Sequence, residues 1–300
     1  MNSCKKNTNK TTCSATVYGY NGSWGTSGGY LNTSLGIINP ATATATSICT
    51  FSSDVYSNQA TYNTSDHCYY MFKTGGGSQT LYKISLSGAV TSYSNASGTS
   101  IRYDGLVYSA AANKLYGIKV VPGSSAIVEI SISGSLFTES IVASTIGTHY
   151  WASPATCSIN NATGDIFYAL RNVTVNSWYI EKYHPGASSA TLIDSGTNAG
   201  ILGLRFNKND NMLYAMQEGA APQKMIKIDP VSGTVTSLAT LGFVVNNEFY
   251  SSVIDACSNR YIVTSSIDTA SGTFSQLDMS GAVLQHDTVN TIYQGLEVAY

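Results

Sequence analysis

One hairpin is written into this chain several times. "IKIDPVSGTVTSL" (226–238) is matched by "YKISLSGAVTSY" (82–93), "EISISGSLFTES" (129–140) and "QLDMSGAVLQ" (276–285). Each copy is an apolar/polar alternation of period two, a tight turn and a second alternation, which is the pattern of two antiparallel strands. Aligning the turn residue Gly233 with Gly88, Gly134, Ser188, Gly281 and, in "INPATATAT", Ala43 gives six copies at gaps of 45 to 54 residues. A second anchor keeps step with the turns: "VYGY" (17–20), "YYMF" (69–72), "LYGI" (115–118), "FYAL" (167–170), "LYAM" (213–216) and "YIVT" (261–264). Between successive anchor pairs lies one more short segment, such as "YDGLVYSAAANK" (103–114) or "ILGLRFNKNDN" (201–211).

About four strands in about 48 residues is the size of one β-propeller blade. A single four-stranded sheet cannot bury both faces, whereas six packed radially bury one another and leave only short outer edges. The N-terminal repeat starts at its second strand, "TVYGY". The chain finishes on "IYQGLEVAY" (292–300), which reads as an innermost strand with nothing after it. The expectation is therefore an all-β, six-bladed β-propeller of four-stranded antiparallel blades over 14–300. Its C-terminal strand joins the N-terminal blade, and 1–13 is a tether.

Composition narrows the partners. Charged residues make up 11% of the chain and its formal net charge is −2, with no basic stripe to neutralise phosphates, so nucleic acid is not an expected partner. No apolar run approaches the ~18 residues a spanning helix needs. No C-x-x-C is present, and the four histidines (67, 149, 184, 286) fall at unrelated blade positions, so neither a metal site nor a cofactor is expected. Cys13, Cys49 and Cys68 lie in or beside the first two blades, where one disulfide can form. Cys157 and Cys257 fall near the ends of inner strands and read as buried and free.

If a blade's strands are labelled a to d from the centre outwards, the a–b and c–d turns share one face, and they are short and stereotyped. The opposite face carries varied b–c loops and the d–a crossovers "SIRYDG" (100–105), "GTHYWASP" (147–154) and "NNEFYSS" (246–252). All three tryptophans, Trp24, Trp151 and Trp178, map to this loop face, with Arg102, Tyr103, Asp104, His149, Tyr150 and Tyr250. Aromatics with a polar tip suit sugar rings and protein hot spots alike, and function concentrates on such loops. The competing reading is that crossover aromatics wedge between neighbouring blades. The inner strands offer only Arg205, Glu297 and Asp255 as charged groups, and an Arg205–Glu297 channel ion pair is the expected outcome. Paired carboxylates for glycoside hydrolysis, nucleophile elbows and phosphate loops are not evident. A propeller enzyme using His149, Arg102, Asp104 and Glu297 at the channel mouth is the alternative to a binding module. A passive surface-coat protein is a third reading.

The blade pattern, "LYxID-x-x-x-G-x-V", resembles bacterial six-bladed propeller proteins, among them envelope lipoproteins, lactonases, lyases and cyclases. That resemblance spans nearly the whole chain and speaks for fold, not activity. The opening "MNSCKKNTNK" resembles the start of a mature Bacteroidota lipoprotein, though without the apolar stretch that precedes the cysteine in such precursors. It implies a lipid on Cys4 and an outer-membrane location on the cell surface or the periplasmic side. On the binding-module reading the loop face meets an outer-membrane protein complex or a glycan. Thr269 and Thr288, in "DTA" and "DTV", resemble O-glycosylation sites of the same bacteria.

Overall fold

The computed structural model describes residues 13–25, 29–51, 60–73, 79–98, 102–121, 124–146, 157–172, 175–198, 200–218, 222–245, 250–268 and 271–300. All regular structure among them is β, in a propeller-like arrangement of antiparallel four-stranded blades. The first sheet holds β1 (Thr16–Gly25), β2 (Gly29–Asn39) and β3 (Thr44–Thr50), with β24 (Ile292–Ala299) on its inner edge. Next come β4 (Ala60–Asn63), β5 (Cys68–Lys73), β6 (Thr80–Ser85) and β7 (Val90–Asn95), then β8 (Arg102–Ser109), β9 (Lys114–Val121), β10 (Ser124–Ser133) and β11 (Leu136–Ser144). The following sheet is β12 (Cys157–Asn160), β13 (Asp165–Asn172), β14 (Ser177–Tyr183) and β15 (Thr191–Thr197). The last two are β16 (Ile201–Asn207), β17 (Met212–Gln217), β18 (Lys224–Ile228) and β19 (Val235–Thr240), then β20 (Tyr250–Asp255), β21 (Arg260–Ser266), β22 (Gly272–Asp278) and β23 (Val283–Val289).

Closure occurs as the chain ends suggest: β24 pairs antiparallel with β1, with Tyr18 opposite Glu297 and Tyr20 opposite Gln294. The innermost strands touch in the cyclic order β24, β4, β8, β12, β16, β20 and back to β24. One feature was not legible in the repeat. Strands β4–β7 and β8–β11 form one eight-stranded sheet, because the outer strands β7 and β11 meet in a short parallel bridge, Leu136 opposite Ser94 and Phe137 opposite Asn95. The bridge pairs backbone groups that would otherwise form two open edges.

Burial follows radius. The inner and second strands are buried on both faces, as in β4 and β21, because a neighbouring sheet covers each face. The outer strands diverge as the sheets splay, so β3, β15, β19 and β23 are largely exposed. The sequence matches this gradient, with apolar runs at the anchors and Ser/Thr-rich segments outside.

The turns are fixed by local chemistry. At the inner turns Asn63, Asn160, Asn207 and Asp255 each accept, through a side-chain oxygen, the backbone N–H two residues on. A residue at positive φ closes each of these turns: His67, Gly164, Asn211 and Asn259. The carboxylate of Asp255 is therefore a turn cap and not a channel group. At the outer turns the positive-φ residue is Ala43, Gly88, Gly134, Gly186, Gly233 or Gly281. The alignment through Ser188 is corrected to Gly186, because the chain needs the left-handed conformation that glycine adopts freely. Gly233, at φ +74°, sits where a Cβ would run into the Ile193 carbonyl oxygen of the preceding sheet, whereas Gly134, at φ +61°, faces open space. Gly134→Ala is thus expected to cost ~1 kcal/mol for backbone strain alone. Gly233→Ala should cost ~3 kcal/mol, strain plus clash. Urea midpoints compare the two, and equal losses would refute the packing argument.

The cysteine reading is also corrected. Cys13 is bonded to Cys257, with Cα atoms 5.3 Å apart, while Cys49, Cys68 and Cys157 are free. Cys257 lies in the β20–β21 turn, and ring closure brings the sheet of β20–β23 beside β1, so residues at opposite ends of the chain become neighbours.

Candidate functional site

The centre of the ring is held by Arg205 and Glu297. Arg205 leaves β16 between β12 and β20; its Nε donates to the Ser252 carbonyl (2.7 Å) and its Nη1 to the Cys157 carbonyl (2.9 Å). Glu297, on β24, stands 3.7 Å from Nη1, with the two side chains only 12% and 18% exposed. Burial raises the Glu297 carboxyl to about 7 against the opposing pull of Arg205 and of the Tyr62 N–H. The ion pair expected from the inner-strand sequences is therefore present. Between them the two side chains tie together β12, β16, β20, β24 and β4. Burial also pushes the Cys157 thiol up to about 12, so it is no nucleophile near neutral pH.

Local bulges aim these groups. Ladder register shifts in β8 at Asp104, just before Gly105, and in β16 and β24 across Gly203–Leu204 and Gly295–Leu296. Gly203 and Gly295 have φ of +65° and +56°. A glycine inside a strand run is the sequence signal for such a bulge. The Gly203 bulge is clamped from the neighbouring sheet: its N–H donates to Tyr250 Oη (2.8 Å), and Tyr261 Oη donates to its carbonyl (2.6 Å).

The loop-face residues divide sharply. Tyr250 is fully buried in that clamp. Tyr103 is 1% exposed, stacks on Phe72 at 4.2 Å and gives its hydroxyl to Glu139, which also pairs with Lys119. Trp178 is 7% exposed and lies against Gly196, where a Cβ would be 2.7 Å from its ring. These three are packed against neighbouring residues, with almost no surface left exposed. Trp24 is the last but one residue of β1, opposite Tyr30, and Arg102 and Asp104 lie on β8 at its crossover end; their side chains fall outside the described residues. So do His149, Tyr150, Trp151, Cys4 and Thr269. Thr288 is exposed on β23, opposite Thr273. Convergence of His149, Arg102 and Asp104 on Glu297 thus involves positions beyond those described.

The two faces differ in how their polar groups are satisfied. Bonds between neighbouring sheets stitch the turn face. Ala110 N–H donates to Asn161, Asn209 Nδ2 to the Ala256 carbonyl, and Tyr300 Oη both accepts from Ala256 N–H and donates to the Ile254 carbonyl. The Cys13–Cys257 disulfide belongs to the same face. Toward the loops, Gln79 Oε1, Asn95 Nδ2, Ser125 Oγ and both amide atoms of Gln294 are buried without a hydrogen-bond partner. All of these lie in the half of the sheets next to the b–c loops and crossovers. Buried polar groups in native proteins are nearly always paired, so this concentration is a candidate place for water or a ligand to be taken up. Among the described residues no group of three or more His, Cys, Asp or Glu could hold a metal ion.

No known protein family matches the sequence, and no curated protein does so either. Solved structures do match in fold. A chain from a nidogen–laminin complex aligns with TM-score 0.71 at 11% identity, over 96% of this chain and 99% of that one. TolB from Acinetobacter baumannii aligns at 0.64 and 11%, over 95% and 66%. The Pseudomonas aeruginosa periplasmic gluconolactonase aligns at 0.59 and 11%, over 96% and 99%. The structural neighbours are β-propellers, and at these identities the likeness shows the fold alone.

Proposed function

We propose that the chain is a six-bladed propeller, its eight-stranded sheet being two blades bridged at their outer strands, and that it is a non-enzymatic binding or scaffold module. The loop face meets the partner, a protein or a glycan, with Trp24, Trp151, His149 and Tyr150 as the contact candidates. One observation supports this reading: among the described residues, the buried side-chain polar atoms without a hydrogen-bond partner lie toward the loops. The nidogen–laminin chain is a propeller from a protein–protein complex. A location in the bacterial envelope, with a lipid on Cys4 as outer-membrane anchor, is part of the proposal. A disulfide persists in oxidising compartments, which favours export, and one neighbour is periplasmic by name. The test is affinity capture from detergent-solubilised outer membranes, with Trp24→Ala and Trp151→Ala in parallel. A stoichiometric partner lost on these substitutions supports the module. A captured set unchanged by both overturns the loop-face assignment.

Glu297 favours a second reading, a channel-mouth enzyme, because a carboxyl raised to about 7 can exchange protons near neutrality. A gluconolactonase stands among the neighbours, so sugar lactones are the substrates to try. Turnover abolished by Glu297→Gln would establish that reading; an inert wild type would remove it.

A further inference from the structure

The connection from β14 to β15, residues 184–190 ("HPGASSA"), is one residue longer than 229–234 between β18 and β19 and is the longest of its kind among the described sheets. The longer connection forms one wall of a cleft of about 510 Å³ on the turn face, between the sheet of β8–β11 and that of β12–β15. Ala112, Val142, Pro185 and Ala187 make it apolar. Lys114 and Glu129 add a pair of opposite charges, Nζ and Oε2 2.8 Å apart, with side chains 48% and 23% exposed.

This chemistry selects a ligand class. Tyr116 and Tyr183 also line the cleft, yet they pack edge-on against each other and are 3% and 2% exposed, so neither offers a free ring face for a sugar to stack on. What remains accessible is an adjacent cation and anion beside an aliphatic hollow. An exposed Lys–Glu pair gains little from its own attraction, so it can accept a second pair of charges alongside. The complement is a carboxylate and an ammonium one carbon apart, carrying an apolar side chain. We propose that this cleft binds a free zwitterionic α-amino acid with an aliphatic side chain, its carboxylate on Lys114, its ammonium on Glu129 and its side chain against Val142, Pro185 and Ala187. The site is separate from the loop face and independent of what that face binds.

The test is calorimetry and saturation-transfer NMR on the full chain, with L-leucine, N-acetyl-leucine, leucine amide and glucose as probes. Saturable leucine binding is expected, weakened about tenfold or more by removing either ligand charge and by Lys114→Met or Glu129→Gln. Ala187→Tyr, which fills the hollow from a half-buried turn position, should abolish binding with the far-UV spectrum unchanged. Absence of saturable leucine binding overturns the proposal. So does binding that survives both charge substitutions, or displacement of leucine by glucose.

Discussion

Arg205→Met is expected to cost about 3–5 kcal/mol near pH 8, because it strands a buried carboxylate. The guanidinium reaches three elements at once: the Ser252 carbonyl, the Cys157 carbonyl and the Glu297 carboxyl. The cost should depend on pH in a definite direction. Glu297 has a folded value of about 7 against 4.5 unperturbed, so the folded chain keeps a proton that the unfolded chain releases. Stability from this group is therefore full below about 4.5 and lost as pH rises toward and through 7, a change of about 3 kcal/mol. Glu297→Gln, which keeps an acceptor for the Tyr62 N–H, should remove that slope. It should exceed the wild type by about 2–3 kcal/mol near pH 8 and approach it near pH 5. For Arg205→Met the loss should shrink at low pH to the two orphaned carbonyls, about 2 kcal/mol. Denaturant titrations across the range decide the matter. Parallel pH profiles for wild type and Glu297→Gln would show that the carboxyl does not titrate as a buried group.

Reduction of the Cys13–Cys257 disulfide is expected to lower stability by about 2–5 kcal/mol, since the bond closes a loop across a sequence separation of 244 residues. Its effect should concentrate at ring closure, where β24 and β1 already pair. Cys13→Ser and Cys257→Ser should each reproduce the reduced wild type, and the double substitution should lose no more than either single one. Guanidinium midpoints with and without a phosphine reductant measure this. An unmoved midpoint would mean that strand pairing alone holds the ring closed. In that case hydrogen exchange of the β24 amides should also be unchanged by reduction.

The candidate site was legible only in part. Arg205 and Glu297 stand out in the sequence because charge is scarce on inner strands, and the structure pairs them. Tyr103, Trp178 and Tyr250 could not be separated from true surface aromatics, because a blade's b–c loop and its strand end are one continuous stretch of chain. Whether a ring points outwards or under the next sheet depends on a partner such as Phe72, Gly196 or Gly203, which lies in another repeat or on a neighbouring strand. The cleft left one trace, "HPGASSA", which lies where the aligned spacing of the repeat is widest. The charged wall opposite it comes from residues some 55 to 75 positions earlier.

What the sequence determined by itself was local and repeated: strand alternation, turns that demand positive φ, the four-stranded unit and the terminal strand that closes the ring. Those features follow from interactions within a few residues, which each copy of the repeat carries in full. Only the tertiary structure decided the Cys13–Cys257 partnership, the bridge between β7 and β11, the burial of three predicted contact residues and the cleft beside β14. Each of these depends on which sheets become neighbours and how far they splay, and a repeat that reads nearly alike in every copy does not encode the differences between its interfaces.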